Sequence, residues 1–161
     1  MVQSLTVGNI LELLPYAAVW ILLLSEGIRD FRKRQVSLPV ILIFTGMGIF
    51  MCIPEWKMYW QSMLLGAAIG GILLLLAGVS REQIGYGDGW MFVATGVLLG
   101  FRVNLFLLFF SFLCSGVAAG ILFLLRSSRK RRIPFVPFMI SGYLLTCIML
   151  VTEGVGQEGI L

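Results

Sequence analysis

Three of the eight acidic residues in this sequence, Glu26, Asp30 and Asp88, lie beside long apolar runs. An acid at membrane depth is energetically costly and is a functional candidate by default. Two carboxyl groups that share a site can do general acid–base chemistry, one activating water and the other protonating a leaving group. Such a pair is expected to titrate as a coupled unit, because the two groups do not ionise independently. The sequence contains no histidine, so this chemistry has to proceed without imidazole.

The spacing of these acids indicates how they are positioned. Glu26 and Asp30 are four residues apart, so they should share one face at the end of a helix. Residues 85–88 read Gly-Tyr-Gly-Asp, and the two glycines let the backbone bend sharply just before a helix. A helix N-terminus favours Asp88 as the base, and a helix C-terminus beside Glu26 favours Asp30 as the acid, although Arg29 opposes this division. The alternative interpretation is that Asp88 is a plain helix N-cap.

The composition excludes most classes of soluble protein. The chain has 161 residues, of which 59% are hydrophobic and 12% charged, and its mean hydropathy is +0.99. Globular domains contain roughly a quarter charged residues, and a domain of this size leaves much of its surface exposed. A soluble enzyme, a disordered tail and a disulfide-stapled secreted domain are therefore excluded. The sequence predicts a single integral membrane domain over residues 1–161.

Six apolar segments predict an all-α, polytopic bundle of six transmembrane helices, since a span needs about 20 mostly apolar residues. The segments cover about 9–28, 37–53, 58–79, 89–101, 103–125 and 134–152. The fourth segment is short, about 20 Å at the α-helical rise. We therefore expect residues 85–88 to form irregular backbone below the membrane surface, enclosed by protein or by a wet cavity.

Basic residues indicate the orientation of the bundle. Ten of the twelve follow the first, third and fifth segments: Arg29, Arg32, Lys33, Arg34, Arg81, Arg126, Arg129, Lys130, Arg131 and Arg132. Only Lys57 and Arg102 lie on the opposite side. Because short cytoplasmic loops are enriched in Lys and Arg, both termini should face outward.

Small residues at four-residue spacing indicate where helices pack. Gly66 with Gly70, Gly96 with Gly100, and Gly116 with Gly120 each fit the small-xxx-small pattern, which lets two backbones approach closely. Packing within the bundle and a homodimer face are both compatible with this pattern. The three cysteines are isolated and form no CxxC pair, so neither a disulfide framework nor a metal site is predicted.

Three blocks, in order, make the chain similar to the GxGD membrane aspartyl peptidases of the type IV prepilin peptidase group. Residues 30–37 read Asp-Phe-Arg-Lys-Arg-Gln-Val-Ser and resemble the family's first-aspartate block. Residues 84–90, Ile-Gly-Tyr-Gly-Asp-Gly-Trp, resemble its GxGD block, and residues 132–138, Arg-Ile-Pro-Phe-Val-Pro-Phe, resemble the block that opens its last helix. Two departures are Ser37, where proline is common, and Gly89-Trp90, where many members have Val-Lys.

The resemblance implies a membrane endopeptidase that removes the basic leader of prepilins or pilin-like precursors at the cytoplasmic face of a prokaryotic plasma membrane. The catalytic pair is then Asp30 and Asp88, with no cofactor and no metal. The supporting residues are Gly85, Gly87, Glu26 and Pro134. Glu26 could tune the pair, contact a basic leader, or simply pair with Arg29. Partners are the membrane-inserted precursor and the bilayer, with no nucleic acid, and a homo-oligomer is compatible with the sequence.

The resemblance also implies a short, peptidase-only form, because nothing here corresponds to the methyltransferase domain of larger relatives. Two other functions stay open. Intramembrane proteases of the signal-peptide-peptidase kind also have a GxGD block, but their first aspartate follows Tyr, whereas Asp30 follows Arg29. A non-enzymatic scaffold or a small ion or proton transporter could use the same acids as binding sites.

Overall fold

The regular structure of the chain is entirely helical in the part that the computed structural model describes, residues 5–33, 36–53, 56–79, 85–125 and 135–158. The helices are α1 (Leu5–Lys33), α2 (Leu38–Cys52), α3 (Trp56–Val79), α4 (Tyr86–Leu124) and α5 (Val136–Glu158). Pro39 lies in the first turn of α2, where a missing N–H is tolerated, and Pro15 lies inside α1. The all-α class predicted from the sequence is confirmed.

Helix α4 folds back on itself at Gly100. The backbone there leaves the helical conformation, with φ 75° and ψ −178°, a left-handed φ that glycine adopts without a steric penalty. Asn104 Nδ2 donates a 3.1 Å hydrogen bond to the carbonyl oxygen of Phe92, although a straight helix would separate these residues by about 18 Å. The helix therefore consists of two antiparallel arms, residues 86–99 and 101–124. Six helical segments result, in the predicted order; that all six cross a bilayer stays a prediction.

The buried side chain of Asn104 fixes this reversal. Its Nδ2 also donates a 3.0 Å hydrogen bond to the carbonyl oxygen of Gly66 in α3, and its Oδ1 accepts a 2.8 Å bond from Thr95 Oγ1 in the first arm. One fully buried amide thus joins α3 to both arms of α4 and leaves neither of its polar ends unpaired. Such pairing matters because an unsatisfied polar group in an apolar interior costs roughly 1–3 kcal/mol.

Glycines let α3 and the first arm of α4 approach to backbone contact. A Cβ atom on Gly66 would lie 2.5 Å from the carbonyl oxygen of Gly96, and one on Gly70 would collide with the backbone of the same arm. The two backbones could not lie this close if these positions had side chains. The first two small-xxx-small pairs thus contribute to packing within the chain. Among the residues that the structure describes, a Cβ on Gly116 or Gly120 would meet nothing within 4 Å, so the third pair makes no such contact there.

Helix α5 packs between α1 and the second arm of α4. Tyr143 is fully buried, its hydroxyl donates a 3.0 Å hydrogen bond to the carbonyl oxygen of Tyr16, and its ring packs edge-on against Trp20 with centroids 5.3 Å apart. On the other side, a Cβ on Gly142 would lie 2.6 Å from the backbone nitrogen of Ser111. These contacts fix the height of α5 relative to α1, and hence the position of its N-terminus.

The outer surface of the bundle is apolar. Large side chains such as Phe50 (74% exposed) and Leu75 (71% exposed) point away from the core. By length and composition, Trp60–Val79 and Tyr86–Leu124, the latter taken over both of its arms, are long and apolar enough to cross a membrane. The shorter helices Leu38–Met51 and Val136–Thr152 are also apolar. Because the hydrophobic effect penalises such a surface in water but not in lipid, the bundle is suited to a bilayer.

We expect Gly96→Ala to destabilise the protein and Gly116→Ala to leave its stability unchanged or slightly raised. Both changes add one methyl group to a helical glycine, which by helix propensity alone is favourable by about 1 kcal/mol. At Gly96 the methyl group would force α3 and α4 apart, and overpacking of this kind costs roughly 1–3 kcal/mol. The thermal unfolding midpoints of both variants in detergent test this. Equal midpoints would contradict the close contact between α3 and α4.

Candidate active site

The C-terminal part of α1 presents two acids to the interior of the bundle. Glu26 is fully buried and Asp30 is 7% exposed, whereas Arg29 and Arg32 on the same helix are exposed. The four-residue spacing therefore places both carboxyl groups on one buried face, as the sequence predicts. Buried ionisable groups require hydrogen-bonding partners, because their transfer from water is otherwise very costly.

The partner of Asp30 is the N-terminus of α5. The Oδ2 atom of Asp30 accepts a 3.3 Å hydrogen bond from the backbone N–H of Val136, the first residue of that helix. Such N–H groups have no partner within their own helix and are the positive end of its dipole, so they stabilise a carboxylate. Pro134, expected to open this helix, lies outside the described residues. The helix instead begins at Val136, with Pro137 in its first turn.

Asp88 lies in the first turn of α4. That helix begins at Tyr86, preceded by Gly85 in the N-cap position with φ −68° and ψ 127°, and the N–H of Asp88 donates a 3.1 Å bond to the carbonyl oxygen of Gly85. The expectation of irregular backbone throughout residues 85–88 is thus wrong, since only Gly85 is non-helical. The N-cap interpretation of Asp88 is also wrong. An acid in the first turn is favoured by the helix dipole, which explains why the helix extends through it.

Each glycine of the Gly-Tyr-Gly-Asp segment leaves room for a specific neighbour. A Cβ on Gly85 would lie 3.0 Å from Asp88 Oδ2, so the absence of a side chain there lets the carboxyl group turn back over the helix start. A Cβ on Gly87 would lie 2.8 Å from Cγ2 of Val36, just before α2. The two glycines therefore shape the surroundings of Asp88 directly, one beside its carboxyl group and one beside its helix turn.

Asp30 and Asp88 lie near each other at one end of the bundle. Asp88 is half-buried, and Asp30 is the charged group that acts on it electrostatically. The end of α1 and the starts of α4 and α5 thus lie together, as they must if successive segments alternate in direction. Those three junctions contain ten of the twelve basic residues in the sequence. Asp30 also lies at a helix N-terminus, that of α5, which offsets the dipole part of the asymmetry between the two acids. The assignment of Asp88 as base and Asp30 as acid stays a prediction.

Glu26 binds a backbone N–H at the start of α2, and not the side chain of Arg29. Its Oε2 accepts a 2.7 Å hydrogen bond from the backbone N–H of Ser37, the N-cap residue of α2. Its Oε1 is buried and has no hydrogen-bond partner within the part of the chain that the structure describes. A simple pair with Arg29, one of the three roles considered, is therefore not the arrangement adopted. Across the described ranges, no group of three or more His, Cys, Asp or Glu side chains is placed to hold a metal ion.

Comparison with known proteins identifies the family. A sequence profile described as the type IV leader peptidase family matches residues 16–124. The chain belongs to the type IV leader peptidase family. The prepilin leader peptidase/N-methyltransferase of Bacillus subtilis (strain 168) is 26% identical over 140 residues. That match covers 86% of this chain but only 56% of the relative, so the chain spans little more than half of the relative's length. No solved structure gives a significant match.

Sequence reasoning missed the groups that hold the acids in this leader peptidase homologue. The N–H groups of Ser37 and Val136 and the side chain of Val36 contact the acids or their glycine turn. Every residue except proline has a backbone N–H, so the sequence does not indicate which N–H groups bind the acids. Only the fold shows that those of Ser37 and Val136 do. Val36 follows the basic stretch after Asp30 as an ordinary aliphatic residue, and its contact with Gly87 has no signal in a single sequence.

We expect Gly87→Ala to lower the thermal unfolding midpoint of the protein and Val36→Ala to restore it in the double variant. The added methyl group at Gly87 would strike Cγ2 of Val36, and removal of that branch relieves the clash. Overpacking by one methyl group costs roughly 1–3 kcal/mol. An equal loss of stability in the single and double variants would show that Val36 is not the neighbour that requires glycine.

Proposed function

We propose that this protein is a membrane aspartyl endopeptidase that removes the basic leader peptide of prepilin or pilin-like precursors at the cytoplasmic face. What supports it most directly is that Asp30 lies near enough to Asp88, at one end of an apolar bundle, for the two groups to interact electrostatically. The family and the activity in the name of the Bacillus subtilis relative support the substrate class. Because the chain spans only part of that relative, the activity comes to this chain as a proposal.

In the proposed reaction, one carboxylate takes a proton from a water molecule whose oxygen attacks the carbonyl carbon of the scissile peptide. The other carboxyl group, protonated at this stage, donates its proton toward the carbonyl oxygen. When the tetrahedral intermediate collapses, the C–N bond breaks and the departing nitrogen receives the proton that the first carboxylate took from water. The hydroxyl group of the intermediate that becomes the carbonyl returns its proton to the second carboxylate. The products are a new carboxyl group on the leader and a new amine on the mature protein. One molecule of water is consumed, and the two carboxyl groups return to their starting state.

The residues around the acids assist this chemistry without reacting. The N–H of Val136 orients Asp30 through a hydrogen bond to Oδ2. The first turn of α4 directs backbone N–H groups toward the region of Asp88, and such groups stabilise negative charge. Pre-oriented groups of this kind account for a large share of enzymatic rate acceleration, because they need no rearrangement during the reaction.

In the proposed membrane arrangement, all six helical segments cross the plasma membrane of a prokaryote and the basic junctions face the cytoplasm. The first arm of α4 covers only residues 86–99, about 20 Å, against about 30 Å for the hydrocarbon core. Asp88 therefore lies below the cytoplasmic surface, where a precursor anchored by its own membrane helix can reach it from the side. A single bundle supplies both acids, so the proposal does not require a homo-oligomer.

Replacement of either acid by its amide should abolish cleavage. We expect Asp30→Asn and Asp88→Asn each to lower the rate by about 10³-fold or more, because an amide can neither accept a proton from water nor return one. Cleavage is measured with a prepilin-like precursor that is reconstituted together with the protein in vesicles, and the released leader is detected by its mass. Glu153→Gln, toward the opposite end of α5, is the matched control and should cleave normally. Partial loss of function in the two variants, with no cleaved product from the wild type, would support the transporter alternative instead.

The orientation can be tested separately by cysteine labelling. In a variant with Cys52, Cys114 and Cys147 replaced by serine, Arg32→Cys should react with a membrane-impermeant maleimide only in inside-out vesicles. Phe101→Cys should react only from the outer side, because it lies at the opposite end of the first arm of α4. Labelling of both positions from the same side would contradict the proposed six-span arrangement.

A further inference from the structure

Glu26 is the buried acid that the proposed reaction does not use. It lies one helical turn before Asp30, is fully buried, and has one oxygen without a hydrogen-bond partner among the described residues. The 2.7 Å length of its bond to the Ser37 N–H is typical of a charge-assisted hydrogen bond. Within the described residues, the one hydrogen bond of this buried carboxyl group is to the Ser37 N–H, so its effect depends on what that bond holds in place.

The bond anchors the start of α2 to α1. Ser37 is the N-cap residue of α2, with φ −89° and ψ 101°, and its own side chain makes no capping hydrogen bond. Glu26 instead binds the backbone of this residue across eleven positions of sequence. The segment Val36–Ser37 is thereby fixed against α1 at the level of the acid pair.

The same segment touches the turn that presents Asp88. Cγ2 of Val36 would lie 2.8 Å from a Cβ on Gly87, the residue immediately before Asp88. A series of contacts thus leads from the Glu26 carboxylate to the Ser37 N–H, through Val36 to Gly87. It is independent of the contact that holds Asp30, which is the N–H of Val136.

We infer that Glu26 is a positioning residue that fixes the start of α2 and, through Val36, holds the Asp88 turn at its working distance from Asp30. This inference rests on the proposed function and extends it to a residue that the proposed reaction does not use. Ser37 is essential to it, because its backbone N–H is the donor and a proline at this position would have no N–H to donate. The positioning device is therefore specific to chains with a donor at this position.

The inference predicts a particular pattern of kinetic effects. Glu26→Gln retains an amide oxygen that accepts the Ser37 N–H, so kcat should stay within about threefold of the wild type. Glu26→Ala removes the acceptor, and kcat should fall by about 10- to 100-fold with KM unchanged, since small misplacements of reacting groups have effects of this size. Ser37→Pro removes the donor and should cause a similar fall, with no further loss in the double variant. Ser25→Ala, which removes a hydrogen bond within α1, is the control and should leave kcat unchanged.

Three results would overturn the inference. Equal impairment of Glu26→Gln and Glu26→Ala would show that the charge matters rather than the hydrogen bond. A rise in KM that depends on the number of basic residues in the leader would make Glu26 a substrate-binding residue. Wild-type kcat in Glu26→Ala or in Ser37→Pro would show that the contact has no bearing on the reaction.

Hydrogen exchange provides a readout that does not depend on activity. The amide of Ser37 should exchange faster in Glu26→Ala than in the wild type or in Glu26→Gln, and an unchanged rate in all three would refute the contact itself. Wild-type protein and Asp88→Asn are measured in the same cleavage assay. If the wild type does not cleave the precursor, the proposed function fails, while the exchange data still decide whether Glu26 holds the start of α2.

Discussion

Three acids lie at one end of the bundle, each beside the N-terminus of a helix, and two of them accept a backbone N–H there. Glu26 accepts the N–H of the N-cap residue of α2, Asp30 accepts the N–H of the first residue of α5, and Asp88 lies in the first turn of α4. In an apolar medium a carboxylate without such partners would be prohibitively costly, and the positive ends of helices supply them without additional basic side chains. This interaction explains why the acids, the helix starts and the proposed chemistry occur at the same end of the protein.

The rest of the fold brings these helix starts together. Asn104 and the reversal at Gly100 set the two arms of α4 side by side, and Gly66 and Gly96 bring α3 into backbone contact with the first arm. Packing through glycine is well suited to a bilayer, where lipid competes equally well for apolar side chains and close backbone contact provides the stabilisation. The position of Asp88 within the bundle therefore depends on residues far from it in the sequence.

The sequence predicts the helical class, the six segments and the shared face of Glu26 and Asp30, because all of these follow from local composition and helical period. It predicts irregular backbone at residues 85–88, and the structure corrects this to a helix that starts at Tyr86. It also leaves Glu26 with three roles. The difference has a physical origin: the decisive contacts are made by backbone N–H groups at Ser37 and Val136, and a backbone donor is the same for every residue except proline. The N–H of Val136 offsets part of the difference in environment expected between Asp30 and Asp88, and which of them acts as base stays a prediction.

The most direct test of the central claim is cross-linking of the two acid positions. In a variant without the native cysteines, Asp30→Cys and Asp88→Cys are combined and treated in native membranes with a short bifunctional methanethiosulfonate. The account predicts an intramolecular cross-link for this pair and for Asp30→Cys with Val136→Cys, and none for Asp30→Cys with Phe101→Cys at the other end of the bundle. A cross-link to position 136 but none to position 88 would show that the two acids do not share a site, and the account would be wrong.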